Sequence, residues 1–291
     1  MPSKEDLLRR SIPELRELFL GRRRPVPKGL LEALEADSRQ GAQQLANRIR
    51  NRYRSNRSEG QRLHTLLRFE IDLWAQGFSF VAGVDEAGMA PLAGPVVAGA
   101  VILPQNYKLR GLNDSKKILD QEMRDELAAQ IKQDAVCWSY GFAAVEEIDR
   151  INIYHAGLLA MQRAVQALRC CPDFVLVDAR KIPQCPAPQR GIVHGDALSA
   201  SIAAASIIAK TTRDAHMLEM DGLYQGYGFA SHKGYPTPEH CRALKTLGAL
   251  PIHRRSFNRV REVLGLDPIQ TELFEENSDA IQPEHAAAHA N

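Results

Sequence analysis

The sequence predicts an α/β fold with a helical extension at its N-terminal end and further helices at its C-terminal end. Three observations lead to this prediction. Residues 1–75 carry apolar side chains at helical spacing, residues 78–102 read as two short strands, and residues 199–217 form an Ala-rich run without Gly or Pro. Between these segments, short apolar runs alternate with amphipathic stretches, the pattern of strands and helices that pack in layers.

The N-terminal extension, residues 1–75, is basic, with sixteen Lys and Arg residues against ten Asp and Glu residues. Pro25 and Pro27 separate its first predicted helix from the second. Residues 47–57, NRIRNRYRSNR, have two interpretations. The run is either a solvated helix face or a stripe that contacts phosphates, with Tyr53 available for stacking. Its arginines are Arg48, Arg50, Arg52, Arg54 and Arg57.

The elements after Phe78 follow in order. A first strand reaches Asp85 and Glu86, and the two acids are expected at the turn end of a hairpin with a second strand that includes Val96, Val97, Val101 and Ile102. We then expect a helix over 121–132, a strand over 136–142, an amphipathic helix over 153–168, a buried strand over 174–177 and the long helix over 199–217. Residues 183–190 and 226–240 are predicted to be loop and turn, and helices complete the domain by about residue 266.

The chain therefore divides into a basic helical extension (1–75), an α/β domain with C-terminal helices (76–266) and an acidic tail (267–291) that we expect to be disordered. The N-terminus does not resemble a signal peptide, and no apolar run reaches the roughly 18 residues of a membrane span. Five cysteines at irregular spacing favour a reducing compartment. We expect a cytoplasmic monomer without membrane attachment.

Carboxylates carry most of the chemical information. Asp85 and Glu86 follow one apolar strand, and Asp178 follows another. Charges at the ends of buried strands are costly unless they are compensated, and a hard cation is one such compensation. Converging carboxylates could hold two Mg²⁺ or Mn²⁺ ions about 4 Å apart, an arrangement suited to phosphodiester cleavage. The alternative for each acid is a strand-end or turn residue that faces solvent.

Two aspartates compete for a fourth position in such a cluster. Asp196 precedes the long helix and Asp214 lies near its far end, so a continuous helix would separate them by about 27 Å. We prefer Asp196, because the start of the helix can emerge at a sheet edge, although it could simply be an N-cap. Asp214, beside Arg213, is expected to form a structural ion pair or to lie on the helix surface.

Basic and hydroxyl residues fit a nucleic-acid substrate, although each could be an ordinary surface residue. The NDSKK segment offers donors and two cations for phosphate, and the HKGY segment offers an aromatic ring for a sugar or base. Residues 253–257, HRRSF, add further cations. The candidate substrate-binding residues are Asn113, Ser115, Lys116, Lys117, Lys210 and Tyr235.

Together these segments resemble the bacterial type 2 ribonuclease H family, ribonuclease HII. The similarity runs from Val81 to Phe257 and keeps the family's order of motifs: GVDEAG, PLAGPVVAGAVILP, NDSKK, NIYHAGLLAMQRAV, LVDAR, GDALSASIAAASIIAKTTRD, GYGFASHKGYPTPEH and HRRSF. The resemblance implies an RNase H-like fold, a mixed central sheet flanked by helices. It also implies a metal-dependent endoribonuclease that cuts the RNA strand of RNA–DNA hybrids, or ribonucleotides embedded in DNA, with two Mg²⁺ or Mn²⁺ ions and leaves 3′-hydroxyl and 5′-phosphate ends.

The resemblance also assigns roles to single residues. It gives catalytic and metal-binding roles to Asp85, Glu86, Asp178 and Asp196, with Asp85 bridging the two ions. It implies that Tyr235 stacks on the ribose at the cleavage site, and that Lys116 and Lys117 hold phosphates. Some members carry a helical N-terminal extension, which residues 1–75 match only in kind.

One motif departs from the family. Gly88-Met89-Ala90 stands where the family usually has Gly-Arg-Gly, whose backbone reads the ribose 2′-hydroxyl. A smaller departure is Ala179, where Gly is common. Because the methyl group of Ala90 could hinder close approach, a lone ribonucleotide in DNA should be cut less readily than a long hybrid. The alternatives are a hybrid-binding protein with weakened catalysis and another nuclease of the same fold.

Overall fold

A five-stranded sheet with helices on both faces forms the centre of the computed structural model, which describes residues 4–269. Residues 270–291, and with them most of the predicted acidic tail, lie outside the described residues. The strands are β1 (Val81–Ala87), β2 (Val96–Ile102), β3 (Cys137–Ala143), β4 (Phe174–Asp178) and β5 (Gln189–Ile192). The helices are α1 (Lys4–Leu8), α2 (Ile12–Arg16), α3 (Leu30–Glu35), α4 (Gln40–Leu66), α5 (Arg68–Ala75), α6 (Gln121–Asp134), α7 (Val145–Gln166), α8 (Gly195–Leu198), α9 (Ala200–Leu223), α10 (Phe229–His232), α11 (Pro238–Leu247) and α12 (Asn258–Val263).

The sheet is mixed, which confirms the predicted fold class. Its strand order is β3-β2-β1-β4-β5. The first three strands in sequence pair antiparallel, whereas β1 pairs parallel with β4 and β4 pairs parallel with β5. Since β1 and β4 run in the same direction, their carboxyl ends meet at one edge of the sheet. Asp85 and Asp178 therefore reach the same place.

Helices α7 and α9 cover opposite faces of the sheet. The α9 helix lies unusually close to β1 and β2, because two strand positions have no side chain. A Cβ atom at Gly83 would lie 2.0 Å from the backbone carbonyl carbon of Ser201, and one at Gly99 would lie 2.4 Å from the backbone oxygen of Ala205. Glycine at these positions lets the start of α9 approach the strand that carries Asp85.

Two predicted loop segments contain regular structure. Residues 189 and 190 belong to the short edge strand β5, although they were predicted to be loop. A strand of four residues with an exposed arginine has little apolar signal, and its pairing with β4 defines it. The helix predicted from residue 153 is present, but a further helical segment from Val145 precedes it across a break at Asn152, which has φ of 66°. Residues 229–232 and 238–240, which were predicted to be loop and turn, belong to α10 and α11.

The N-terminal helices have a small core of their own and also contact the sheet domain. Residues between Leu7 and Ile49 pack together in one cluster, whereas Leu63, Leu66 and Leu67 pack with residues of β2, α6 and α9. The middle of α4, residues 51–58, is almost entirely solvent-exposed. The division at residue 75 remains a prediction. Among residues 4–269, no helix combines the length and apolar character needed to cross a membrane.

Candidate active site

Three aspartates from three separate elements converge at the carboxyl edge of the sheet. Asp85 lies on β1, Asp178 ends β4 and Asp196 lies in α8. One carboxylate oxygen of each lies within 4.8 Å of the others. The backbone N–H of Gly195 donates a 2.7 Å hydrogen bond to Asp178 Oδ1, which ties the start of α8 to the end of β4. This arrangement has the ligand type and spacing that hard divalent cations prefer.

Electrostatics in this cluster disfavour three negative charges without a cation. Burial raises the pKa of Asp85 well above its usual value, and the neighbouring Glu86 and Asp178 carboxylates raise it further. Burial also raises the pKa of Asp178, and the charge of Asp196 acts in the same direction. Asp85 is 1% exposed, so water cannot offset this repulsion. A bound cation would favour the ionised form of each carboxylate.

Lys116 supplies a positive charge beside the cluster. Its Nζ lies 3.4 Å from Asp196 Oδ2 while the side chain stays largely exposed. Burial opposes the charged form of Lys116, but the Asp85 and Asp196 carboxylates outweigh it and raise its pKa. One lysine cannot balance two buried carboxylates and a partly buried one, and its exposed ammonium remains available for a substrate phosphate.

Glu86 adjoins the three aspartates but does not join their close set. Its Oε1 lies 3.3 Å from the guanidinium of Arg180, and its buried Oε2 has no hydrogen-bond partner among the described residues. Burial raises the pKa of Glu86, and Arg180 opposes that shift. The free, buried oxygen is a second feature that fits a cation ligand. A metal-binding role for Glu86 remains a prediction.

The Gly-Met-Ala turn is held by a buried arginine. Gly88 has φ of 97°, and a Cβ atom there would lie 2.3 Å from Arg213 Nε, so glycine is required. The fully buried guanidinium of Arg254 donates hydrogen bonds to four carbonyl oxygens, including those of Gly88 at 2.6 Å and Met89 at 3.2 Å. The HRRSF segment therefore fixes this turn, and Arg254 is not an exposed substrate contact.

The two unusual residues of the turn lie in different environments. The side chain of Met89 points inward, with its Sδ 4.0 Å from Arg180, so a guanidinium still lies beside position 89. Ala90 is exposed and lines a cavity with Leu92 and Pro236. Ala179, the smaller departure, adopts the left-handed conformation that favours glycine, with φ of 50°.

Tyr235 lies on a loop that is bonded to the same turn region. Leu92 donates a 2.8 Å backbone hydrogen bond to Gly234, the residue before Tyr235. The ring of Tyr235 is half-buried, with Lys210 Nζ 5.5 Å from its centroid. Lys210 also pairs with the buried Asp214 at 2.7 Å, so Asp214 forms the expected structural ion pair. Lys210 therefore contacts the Tyr235 ring and Asp214, and these contacts make it less available to bind a substrate phosphate than we expected from the sequence.

The NDSKK segment is divided between buried and exposed positions. The Ser115 hydroxyl is buried and lies 2.6 Å from that of Ser206 on α9, so it anchors the segment to that helix. Asn113 is half-buried and lines a cavity, whereas Lys116 and Lys117 are exposed. Two exposed cations therefore stand on a fixed loop beside the acidic cluster.

Sequence reasoning missed Glu70, a buried acid of the N-terminal extension. Its Oε1 accepts hydrogen bonds from the Ser199 hydroxyl at 2.5 Å and the Ser201 backbone N–H at 2.8 Å. Ser199 lies between α8, which carries Asp196, and α9. A charged residue among apolar neighbours at helical spacing in FEIDLW was the available signal.

Comparisons with known proteins agree with this geometry. A sequence profile described as ribonuclease HII matches residues 82–260, and one described as the ribonuclease HII N-terminal domain matches residues 11–74. The chain is 62% identical to the ribonuclease HII of Myxococcus xanthus over 94% of this chain and 95% of that protein. It is 60% identical to the ribonuclease HII of an Anaeromyxobacter species over 97% of this chain and 88% of that protein.

A solved structure supports the fold independently. The crystal structure of ribonuclease H2 from Pyrococcus horikoshii is similar with a TM-score of 0.54 and 26% identity, over 63% of this chain and 96% of that chain. The mixed sheet, the acidic cluster at its edge and the matches over both parts of the chain lead to one assignment. The chain belongs to the ribonuclease HII family of metal-dependent endoribonucleases, which cleave the RNA strand of RNA–DNA hybrids.

Proposed function

We propose that Asp85, Asp178, Asp196 and Glu86 bind Mg²⁺ or Mn²⁺ ions and that this site cuts the RNA strand of a hybrid, leaving 3′-hydroxyl and 5′-phosphate ends. The observation that carries the proposal is the convergence of three carboxylate oxygens within 4.8 Å of one another. Carboxylates are the protein ligands that these hard cations prefer, and a bound cation would offset the mutual repulsion that helps raise the pKa of Asp85 and Asp178.

The residues have separable tasks in this proposal. Two bound ions would supply an activated water and stabilise the leaving 3′ oxygen. Asp85, the most buried of the three aspartates, would be a ligand shared by the two ions, and Asp178 and Asp196 would complete the set. Glu86 offers its free Oε2 as a further ligand while Arg180 orients its other oxygen. Each carboxylate must be ionised to bind a cation, so activity should be lost at pH values low enough to protonate these ligands.

Groups around the cluster orient the substrate. Lys116 and Lys117 hold phosphates from their exposed positions on the fixed loop. Tyr235 packs on the ribose, and the backbone of residues 88–90 approaches the 2′-hydroxyl from the turn held by Arg254. The substrates are RNA–DNA hybrids and DNA that contains ribonucleotides.

The direct test is cleavage of a uniform RNA–DNA hybrid with Mg²⁺ or Mn²⁺, with analysis of the product ends. Asp178→Asn should abolish turnover and leave hybrid binding nearly unchanged, because the amide keeps the shape of the side chain and loses its charge. The matched control is Asp125→Asn, which removes an exposed carboxylate of α6. Turnover retained by Asp178→Asn would contradict the assignment.

The same assay separates the alternatives. A hybrid-binding protein with weakened catalysis would bind the hybrid and leave it uncut with either metal. Another nuclease of this fold would cut DNA-only duplexes. The intact acidic cluster favours the endoribonuclease, since a binding protein has no need for three mutually repelling carboxylates, two of them buried.

A further inference from the structure

A groove of about 330 Å³ lies between the N-terminal helices and the edge of the acidic cluster. Arg62, Thr65 and Arg68, at the junction of α4 and α5, line one side. Asn113 and Ala197 line the other. Ala197 directly follows Asp196, and Asn113 lies three residues before Lys116, so the groove opens beside the proposed metal site.

Next to the groove, two arginines lie over one aromatic ring. The guanidinium carbon of Arg68 is 4.6 Å from the centroid of Phe69, and that of Arg190, on β5, is 5.1 Å from it. Both arginines are exposed. Within residues 4–269, neither makes an ion pair. Two exposed guanidinium groups that lie near one ring and have no carboxylate partner favour a nearby anion.

The position of Arg190 relates this pair to the catalytic edge. Arg190 pairs with Leu176 in the β4–β5 register, and Asp178 lies two residues farther along β4. Arg190 and Asp178 are therefore about 7 Å apart along the strand direction. A nucleic-acid strand that leaves the acidic cluster beside α8 would reach the groove first and the arginine pair next.

Hydrogen bonds join the two walls of the groove, and polar side chains line it. Arg62 donates to Glu59 at 2.8 Å and to the carbonyl of Leu112 at 2.9 Å, and Glu59 accepts from Gly111. These bonds hold the loop before Asn113 against α4. Asn113 Oδ1 accepts from the next backbone N–H, and no described group accepts from its side-chain amide. Arg62 is neutralised by Glu59, so Arg68 and Arg190 supply the unbalanced charge.

We propose that Arg68, Arg190 and the groove between α5 and α8 form a basic track that binds backbone phosphates of the substrate duplex beyond the cleavage site. The N-terminal extension thereby lengthens the substrate footprint. This inference rests on the proposed function, because it takes the duplex at the acidic cluster as its starting point. The ligand chemistry is the sequence-independent phosphodiester backbone, since no group on the track is arranged to read bases.

The arginine run of α4 does not form this track. Arg48, Arg50, Arg52 and Arg54 recur every second residue, and positions two apart on a helix face different directions. Arg50 pairs with Glu35, and Arg52 donates to the carbonyl of Phe19. The geometry favours the solvated-face interpretation of this run. Arg48 is exposed and lies about 27 Å along the helix from its end at Leu66, which makes it a matched control.

The test measures equilibrium binding of a labelled RNA–DNA hybrid across a range of salt concentrations, in the non-cleaving Asp178→Asn background. Arg68→Gln combined with Arg190→Gln should weaken binding of a long hybrid about tenfold. It should also lower the slope of log K against log salt by about 2, because each phosphate contact adds about 0.9. Arg48→Gln should change neither quantity, and Arg68→Lys with Arg190→Lys should keep the slope.

Hybrid length supplies a second readout. A short hybrid that ends before the track should be bound equally by the Gln double variant and its parent. In the otherwise wild-type enzyme, the double variant should raise KM for the long hybrid and leave kcat unchanged. An affinity and a salt slope equal to those of the parent, or a loss no greater than that of Arg48→Gln, would overturn the inference. Arginine-dependent binding without any cleavage by the wild-type chain would support the track while contradicting the proposed nuclease.

Discussion

Buried carboxylates that repel one another are the central feature at the residue scale. Asp85 is nearly inaccessible, and its charged form is disfavoured by burial and by two neighbouring acids. Such a site lowers the stability of the metal-free fold, and a ligand that binds ionised carboxylates can offset that cost. A divalent cation meets that need, and the adjoining free oxygen of Glu86 extends the ligand set.

The Gly-Met-Ala turn leads to a prediction about substrate choice. The exposed methyl group of Ala90 should hinder the close backbone approach that reads a 2′-hydroxyl. We expect the wild-type protein to cut a long RNA–DNA hybrid more readily than a lone ribonucleotide in DNA. Ala90→Gly should raise kcat/KM for the lone ribonucleotide severalfold relative to the long hybrid.

The internal control for that prediction is the ratio of kcat/KM for the two substrates, measured within each variant. A general loss of stability or metal binding would lower kcat/KM for both substrates and leave their ratio unchanged. Equal or better cutting of the lone ribonucleotide by the wild-type protein would show that Met89 and Ala90 do not impair sugar recognition. Gly88 is unsuitable for such a test, since any side chain there would collide with Arg213.

Sequence patterns predicted some site residues and missed others for a physical reason. Asp85, Asp178 and Asp196 each follow or precede an apolar segment, so their type and position indicated a metal site. Arg254 looked like one more surface cation, because sequence does not show that four carbonyl oxygens surround it. Residues that act through long-range contacts to backbone have no local pattern.

At the scale of elements, helix α5 connects the extension to the helices of the active site. Glu70 is fully buried, and its carboxylate bonds to Ser199 and Ser201 where α8 ends and α9 begins. Within residues 4–269, neither its second oxygen nor the buried Ser201 hydroxyl has a hydrogen-bond partner. The extension thus helps fix the segment that carries Asp196.

Substitutions of Glu70 should separate hydrogen bonding from charge. Glu70→Ala leaves two buried donors without their acceptor and should lower the free energy of unfolding by about 2–4 kcal/mol. Glu70→Gln keeps the accepting oxygen and adds a donor that can reach the Ser201 hydroxyl, so it should be tolerated. Urea unfolding of the metal-free variants measures both effects.

The pH dependence of the same variants has a definite sign. Burial raises the pKa of Glu70 above its usual value of 4.5, so the folded protein holds this proton more tightly than the unfolded chain. The stability that this proton confers is complete below pH 4.5 and is lost as pH rises through the raised pKa. Glu70→Gln lacks this loss and should gain stability relative to wild type over that range. A constant difference between the two proteins at all pH values would contradict the buried state of Glu70.

Elements differed in how well the sequence predicted them. The Ala-rich helix α9 and the strands β1, β2 and β4 have strong periodicity or apolar runs, and all four were predicted. The strand ends lie within a few residues of the prediction, whereas α9 continues to Leu223, beyond its predicted end at 217. The edge strand β5 was missed, because it is defined by its partner strand. The mixed order of the strands came from the family resemblance, since periodicity alone does not give sheet topology.

At the scale of the whole molecule, three separate parts of the chain deliver acids to one edge of the sheet. The parallel pairing of β1 with β4 brings Asp85 and Asp178 together, and the close approach of α9 at Gly83 brings the helix before it within reach. The N-terminal helices contribute Glu70, which contacts the start of α9, and Arg68 of the proposed basic track. The fold therefore joins a metal site to a surface for duplex phosphates.

Direct counting of bound Mn²⁺ tests the central claim, that these acids hold catalytic cations. Calorimetric titration of Mn²⁺ into the wild-type protein with a non-cleavable hybrid should give two ions per chain. The same titration of Asp85→Asn should lose both, since Asp85 is the most buried of the three converging carboxylates and the proposed shared ligand. Wild-type stoichiometry and affinity in Asp85→Asn would contradict the account.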